Sequence, residues 1–396
     1  MASERLTVSQ KETDRRYAAV QNAMKAKGID ALVMQTHSEI FDMYMRYLTD
    51  MKAIPDPYSV MILVPAEGEM YLLMQGQSKS PDLPVPEKLK KHHVGKFGHT
   101  TTCMCFSYTD TIPAEYVTAE IKKHGYKRLG YVGGGLMSWT SRMYFEANLP
   151  EAEWVDFTGD FDRIIAVKSE EEIILLKKTV DTHCEIAKAI PDMVRPGRKL
   201  RDIKTDILVM GQGLNCELQH NIFLNAGPHS KFAVPGPIGD EDYVLQKGDG
   251  LYYLLELAAE GGMYAEVGRP ILLYEPSKEE VDAYNDYCAA EAWMATQIKP
   301  GITCQDIVRI NDEYMGSRGF GKVTRMAGHG QGYGLMERPA FRMEDDMVIE
   351  KNMFYCMHPG GGGVTRPHLG MCNNYIVKEN GSELMTWLPM DITVLV

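Results

Sequence analysis

The sequence predicts an α/β protein: a small N-terminal α/β domain, then a second domain of duplicated α+β structure with pseudo-twofold symmetry. Three observations carry this expectation. In the first part, segments of helical period alternate with short apolar runs. In the second, one two-helix pattern occurs twice, about a hundred residues apart. Between the copies lies Leu251 to Leu273, where apolar runs rich in Tyr, Leu and Val flank Glu260-Gly261-Gly262, as in a β-hairpin whose turn glycines supply positive φ.

Composition narrows the function classes. The 396 residues, 44% hydrophobic and 24% charged, are enough for two domains and a large core. A net charge of -12 without a long basic run argues against nucleic acid and against an anionic membrane surface. No apolar segment approaches the ~20 residues of a membrane span, and MASERLTVSQKETDRR lacks the apolar core of a signal peptide, so a cytoplasmic location is expected. Eight cysteines, none in a C-x-x-C pair, do not make a disulfide framework and suit a reducing compartment. Cys103 and Cys105 fall in a Thr-rich, strand-like run and are expected to be buried free thiols. The 26 methionines serve as soft core filling.

Taken in order, Lys11 to Lys27 is a helix, because Tyr17, Val20 and Met24 keep one face apolar and Gly28 supplies a stop. A strand over Asp30 to Met34 follows, then a pair at Tyr58 to Pro65 and Met70 to Met74. Ser78 to Lys91, rich in proline and lysine, is expected to be a surface loop. Ala114 to His124 is a helix ending at Gly125, and Arg128 to Val132 a strand. Gly133-Gly134-Gly135 lacks the spacing of a phosphate loop and reads as a turn. A boundary near Asp156 to Ile165 divides the chain into domains at 1–160 and 161–396. Ser169-Glu170-Glu171-Glu172 is a capping box opening a helix to about Met193, followed by Arg195-Pro196-Gly197 and, four residues on, Asp202-Ile203. Ser277-Lys278-Glu279-Glu280, a helix to about Ile298, Lys299-Pro300-Gly301 and Asp306-Ile307 repeat that order. Two capped helices with the same sequel are expected from duplication, with the site at the interface of the halves.

Chemistry-bearing residues concentrate in the second domain. Glu256 and Glu266 each stand five residues from Gly261, which predicts cross-strand neighbours with Cβ atoms roughly 5 Å apart. Spacing leaves two arrangements open: both acids in solvent at the hairpin end, or both around a shared proton or cation. His329 lies between glycines in Gly328 to Pro339. Met353 to Met357 is a buried-type strand ending at His358, and His368 to Val377 a strand carrying Cys372. Glu256, Glu266, His329, His358 and Cys372 are all competent metal ligands, and carboxylate, imidazole and thiolate together favour zinc or ferrous iron over magnesium.

The chain resembles the creatinase, prolidase and aminopeptidase P group, the pita-bread family, over nearly its whole length. The resemblance rests on Arg15 to Met34, on Arg163 to Ile173, on Lys247-Gly248-Asp249 before the hairpin, on His329-Gly330-x-Gly332 and on Leu384 to Leu395 with Trp387-Leu388-Pro389. It implies a creatinase-like N-terminal domain, a C-terminal pita-bread catalytic domain and a homodimer. Residue by residue, His329 matches the family's metal-binding histidine, while Glu256 and Glu266 stand where the metallopeptidases carry aspartates, in a loop one residue shorter. His358 and Cys372 align with the two late glutamate ligands. Met336 replaces a substrate-contacting histidine, although Glu337 and Pro339 of that motif remain; His229 is displaced from the other substrate histidine's place, which Val234 takes.

Two states suit these departures: a metal-free site like that of creatinase, or one divalent ion held by an exchanged ligand set. The resemblance implies a hydrolase cleaving a C–N bond in a small amide, amidino or Xaa-Pro type substrate. His329, His229 and Glu337 would be catalytic, with His358 as a further base or ligand, and Arg338, Arg366, Met336 and Tyr333 would contact substrate. A lyase of the dimethylsulfoniopropionate type and a non-catalytic binding protein on the same fold are the alternatives.

Overall fold

The computed structural model describes residues 6–36, 42–51, 59–103, 105–228, 241–360, 367 and 369–396. Its chain separates into two compact units, Thr7–Ile165 and Ala166–Val396, the latter joined by Leu6.

The first unit contains α1 (Gln10–Ala26), β1 (Ala31–Thr36), α2 (Met43–Thr49), β2 (Val60–Pro65), β3 (Met70–Gln75), β4 (Ser80–Leu83), α3 (Glu87–Lys90), β5 (Val94–Thr100), α4 (Ile112–His124), β6 (Arg128–Val132), α5 (Trp139–Asn148), β7 (Glu153–Asp156) and α6 (Thr158–Ala166). The strands form one seven-stranded mixed sheet in the order β4-β5-β3-β2-β1-β6-β7. Ala31, Val33, Met61, Leu63 and Leu73 on one sheet face pack against Ala114, Val117 and Ile121 of α4, which is the burial that alternation along a strand and a 3.6-residue period along a helix make possible. Gly125 ends α4 at φ 69, a left-handed cap that glycine takes without a Cβ penalty.

Two expectations for this unit are corrected. Ser78 to Lys91 is not all loop: β4 pairs with β5, and α3 follows. Pro81 is tolerated because β4 is the sheet edge, where a missing N–H breaks no ladder. Cys103 and Cys105 are not in a buried strand; β5 has ended, and Cys103 is half-buried and Cys105 exposed.

The second unit contains α7 (Glu170–Met193), α8 (Leu200–Gly213), β8 (Leu218–Pro228), β9 (Asp249–Ala258), β10 (Tyr264–Leu272), α9 (Lys278–Gln297), α10 (Cys304–Gly316), β11 (Gly328–Gly330), β12 (Glu337–Ala340), β13 (Phe354–Met357), β14 (Asn373–Lys378), β15 (Gly381–Leu384) and β16 (Thr393–Val394). They build a four-stranded sheet, β16-β10-β9-β8, and a five-stranded sheet, β12-β11-β13-β14-β15. Both capping boxes form: Ser169 with Glu172 opens α7, and Ser277 with Glu280 opens α9.

The duplication is visible in hydrogen bonds. Gly197 N–H donates to Leu245 O, and Gly301 N–H to Ile349 O; Lys199 bridges Val244, and Thr303 bridges Val348. Every residue in the first set lies at one constant offset from its counterpart in the second. The strand expected over His368 to Val377 begins only at Asn373, and Cys372 instead makes an isolated bridge to Gly268 of β10. That bridge joins the two sheets. No helix among the described residues is long and apolar enough to cross a membrane.

Candidate metal centre

Glu266 is the centre of the site. It lies on β10 directly opposite Glu256 of β9, the pairing expected from symmetry about Gly261. Asn374 of β14 fixes its backbone from the other sheet: Glu266 N–H donates to Asn374 Oδ1 at 3.0 Å, and Asn374 Nδ2 donates to Glu266 O at 2.6 Å. The carboxylate is fully buried. Its Oε2 lies 2.9 Å from His358 Nε2, and its Oε1 lies 3.2 Å from His329 Nε2 without forming a hydrogen bond.

His329 sits on β11 opposite Cys356 of β13. Its flanking glycines serve close packing: a Cβ on Gly328 would meet Cys356 O at 2.4 Å, and one on Gly330 would meet Arg338 O at 2.6 Å. The imidazole is buried. Its Nδ1 lies 3.0 Å from Gly330 O, which assigns a proton to Nδ1 and turns Nε2 toward Glu266 and Cys356. Cys356 Sγ is 3.4 Å from His329 Nε2 and 3.4 Å from His358 Nε2. One donor atom from each of Glu266, His329, Cys356 and His358 falls within 4.8 Å of all the others.

The electrostatics of this group are those of a cation site. Burial opposes every charge, yet His329 and His358 hold the Glu266 carboxyl well below the usual carboxylate range. Burial likewise opposes the Cys356 thiolate, and the neighbouring Cys372 thiol together with the imidazoles brings its pKa well below that of an ordinary thiol. Against burial, Cys356 and Glu266 push His358 up to about 10. Two anions thus retain two protons on imidazoles, a charge balance that one divalent cation held by Glu266, His329, Cys356 and His358 would also meet.

The residues fit such an ion. Glu266 Oε1 is a buried oxygen with no hydrogen bond. Tetrahedral donors at zinc distances stand roughly 3.3–3.8 Å apart, close to the 3.2–3.4 Å separations of His329 from Glu266 and of Cys356 from both imidazoles. One carboxylate, two imidazoles and one thiolate make a borderline donor set, suited to zinc or ferrous iron.

Of the five residues expected as ligands, Glu266, His329 and His358 are in this group. Cys372 stands behind it, donating its thiol to Glu266 Oε2 at 3.4 Å, and burial holds it well above the usual thiol range as a neutral group. Glu256 stands beside it: Asn221 Nδ2 donates to its Oε2 at 3.0 Å, and burial with the Glu266 charge raises its pKa well above the carboxylate range. Cys356 takes the thiolate place. Its signal was the two-residue spacing to His358, which puts both side chains on one face of an extended segment.

The other candidates are placed as follows. Glu337 accepts from Lys168 Nζ at 2.6 Å and from Gly334 N–H at 2.7 Å, both buried contacts, so its carboxylate holds the loop after His329. Arg338 pairs through two nitrogens with Asp345. Tyr333 is buried and Met336 is 38% exposed. His229, Val234 and Arg366 lie outside the described residues.

A family model described as metallopeptidase family M24 matches residues 174–379, more than half of the chain. The chain belongs to metallopeptidase family M24. This agrees with the resemblance seen in the His329 motif, and it places the protein among hydrolases. An Xaa-Pro dipeptidase of Pyrococcus horikoshii is 24% identical over 66% of this chain and 74% of its own length. An Xaa-Pro dipeptidase from Bacillus anthracis superposes with a TM-score of 0.77 at 20% identity, covering 97% of this chain and 100% of that one. An X-Pro aminopeptidase from Thermotoga maritima gives 0.80 at 16% identity over 96% and 99%. These likenesses extend the family fold to the N-terminal unit.

Proposed function

We propose that this M24 protein is a single-ion hydrolase of a C–N bond in a small amide, amidino or Xaa-Pro type substrate, with zinc or ferrous iron held by Glu266, His329, Cys356 and His358. The observation that carries it is the buried four-donor group, with a carboxylate oxygen at its centre that accepts no hydrogen bond. Family members typically hold two metal ions. Here the donors gather about one point, and the hairpin's other acid, Glu256, lies outside the group.

When bound, the ion supplies Lewis-acid polarisation of the substrate's carbonyl or amidino carbon. The chain's own residues supply the rest. His358 is the donor with exposed surface, at 27%, so substrate and water approach from its side. Glu256, held by Asn221 outside the four-donor group, would take a proton from the attacking water and return it to the leaving nitrogen. Asn374 and Cys372 orient Glu266, and the Lys168–Glu337 pair fixes the loop that follows His329. The reading includes a small-molecule substrate and a homodimer, both from the family resemblance; sedimentation checks the latter.

The test is elemental analysis of protein purified without chelator or oxygen, followed by hydrolysis assays on Xaa-Pro dipeptides, small amides and amidino compounds. One equivalent of metal is expected, falling to background in His329→Ala. Glu256→Gln should retain that metal and lose at least about a hundredfold in kcat. Metal-free protein that still turns over would point to the creatinase-like alternative. Full metal with no turnover on any of these substrates would overturn the hydrolase assignment.

A further inference from the structure

The described residues hold a second pair of reactive side chains in the N-terminal unit, apart from the metal centre's donor set. Cys103 Sγ and Cys105 Sγ lie 3.2 Å apart, with Cys105 exposed and Cys103 half-buried. Most other thiols are buried: Cys184, Cys216, Cys304, Cys356 and Cys372.

The backbone around the pair is organised. Phe106 N–H donates to Cys103 O at 2.9 Å, a reversal that puts Cys105 at its third position. Thr109 Oγ1 then clamps this turn, accepting from Cys103 N–H at 2.9 Å and lying 2.9 Å from Cys103 O and 2.8 Å from Phe106 O. Within such a turn, residues two apart lie inside the roughly 4.4–6.8 Å Cα range that a disulfide spans. Closing the bond therefore asks the sulfurs to move from 3.2 Å to about 2.05 Å while the turn stays in place.

We propose that Cys103 and Cys105 form a surface dithiol that closes reversibly to a disulfide by exchange with a small-molecule disulfide, a redox-modification site in the N-terminal unit. The exchange balances without a further oxidant. The Cys103 thiolate attacks one sulfur of the small disulfide and releases one small thiolate. The Cys105 sulfur then attacks Cys103 of the mixed disulfide and releases the second. The dithiol is oxidised by two electrons, the small disulfide is reduced, and the two thiol protons pass to the two released thiolates.

The experiment equilibrates the full-length protein with reduced and oxidised glutathione, quenches with acid and maps the products by mass spectrometry. A peptide containing both residues should lose two hydrogens. At a fixed ratio of oxidised to reduced glutathione, a tenfold dilution of both should raise the closed-to-open ratio about tenfold, because closing releases two small thiols. A mixed disulfide would not respond to dilution. Cys103→Ser and Cys105→Ser should each abolish the closed form, and the double variant should keep the wild-type metal content. Glutathione adducts independent of dilution, or a bridge mapped to Cys288 in place of this pair, would overturn the proposal.

Discussion

Cys356 and Cys372 flank the same carboxylate in opposite states, one a thiolate within the donor group and one a neutral thiol donating to Glu266. Cys356→Ser should therefore weaken metal binding by well over about a hundredfold, and Cys372→Ser by only about ten- to a hundredfold, the range for a partner one shell out. Competition against a chromophoric chelator separates the two, and equal losses would contradict the assignment. This difference was the hardest part of the site to see in the sequence. Glu256 opposite Glu266 was legible because a hairpin's symmetry fixes its pairs. Cys356 was hidden inside an apolar strand, where a thiol is indistinguishable from a core side chain. Glu291 shows the same limit. It is buried on α9, accepts from Asn373 Nδ2 at 2.9 Å, and has no hydrogen bond at Oε1. Burial pushes its pKa up to about 7 despite Arg269 and Asn373. A carboxyl raised in the folded state stabilises below its unfolded pKa, and that contribution disappears as pH climbs to about 7, on the order of 3 kcal/mol in all. Glu291→Gln should match wild type in thermal stability near pH 4 and exceed it at pH 8; a difference that does not change with pH would refute this.

At the scale of elements, the loop between β11 and β12 depends on one buried ion pair. Lys168 and Glu337 are almost wholly enclosed, and a Cβ on Gly332 would lie 2.5 Å from Lys168 Nζ. Removing one member strands the other's charge. Lys168→Met should cost about 3–5 kcal/mol in urea unfolding, whereas Lys168→Met with Glu337→Leu should recover most of it. A double variant no more stable than the single one would show that the pair supplies more than mutual neutralisation. Lys168 was invisible as a partner because 169 positions separate it from Glu337, and no local pattern spans that distance. Local grammar did reveal the capped helices, since a capping box is complete within four residues. It failed at β4, where proline suggested loop and an edge strand accepted it.

For the whole second unit, the duplication was legible from repeated punctuation, and the hydrogen bonds of Gly197 and Gly301 show what that punctuation does. The meeting of the two sheets was not, because the Gly268–Cys372 bridge and the Asn374–Glu266 bonds pair side chains and single residues rather than strands. Glu266 comes from the four-stranded sheet, whereas His329, Cys356 and His358 lie on or beside the five-stranded one. Neither sheet holds the full donor set alone. The order of events during folding follows from this: the ion can be gripped only after both halves have been made and brought together, so it arrives behind the rate-limiting barrier. Interactions formed that late slow unfolding and leave folding untouched. In stopped-flow chevrons, saturating metal should lower the unfolding rate of the loaded protein by about tenfold or more while the refolding limb stays where the metal-free protein puts it; a faster refolding limb would mean that the ion assists assembly. The centre would then act as a lock on a finished structure, not as a template for building it.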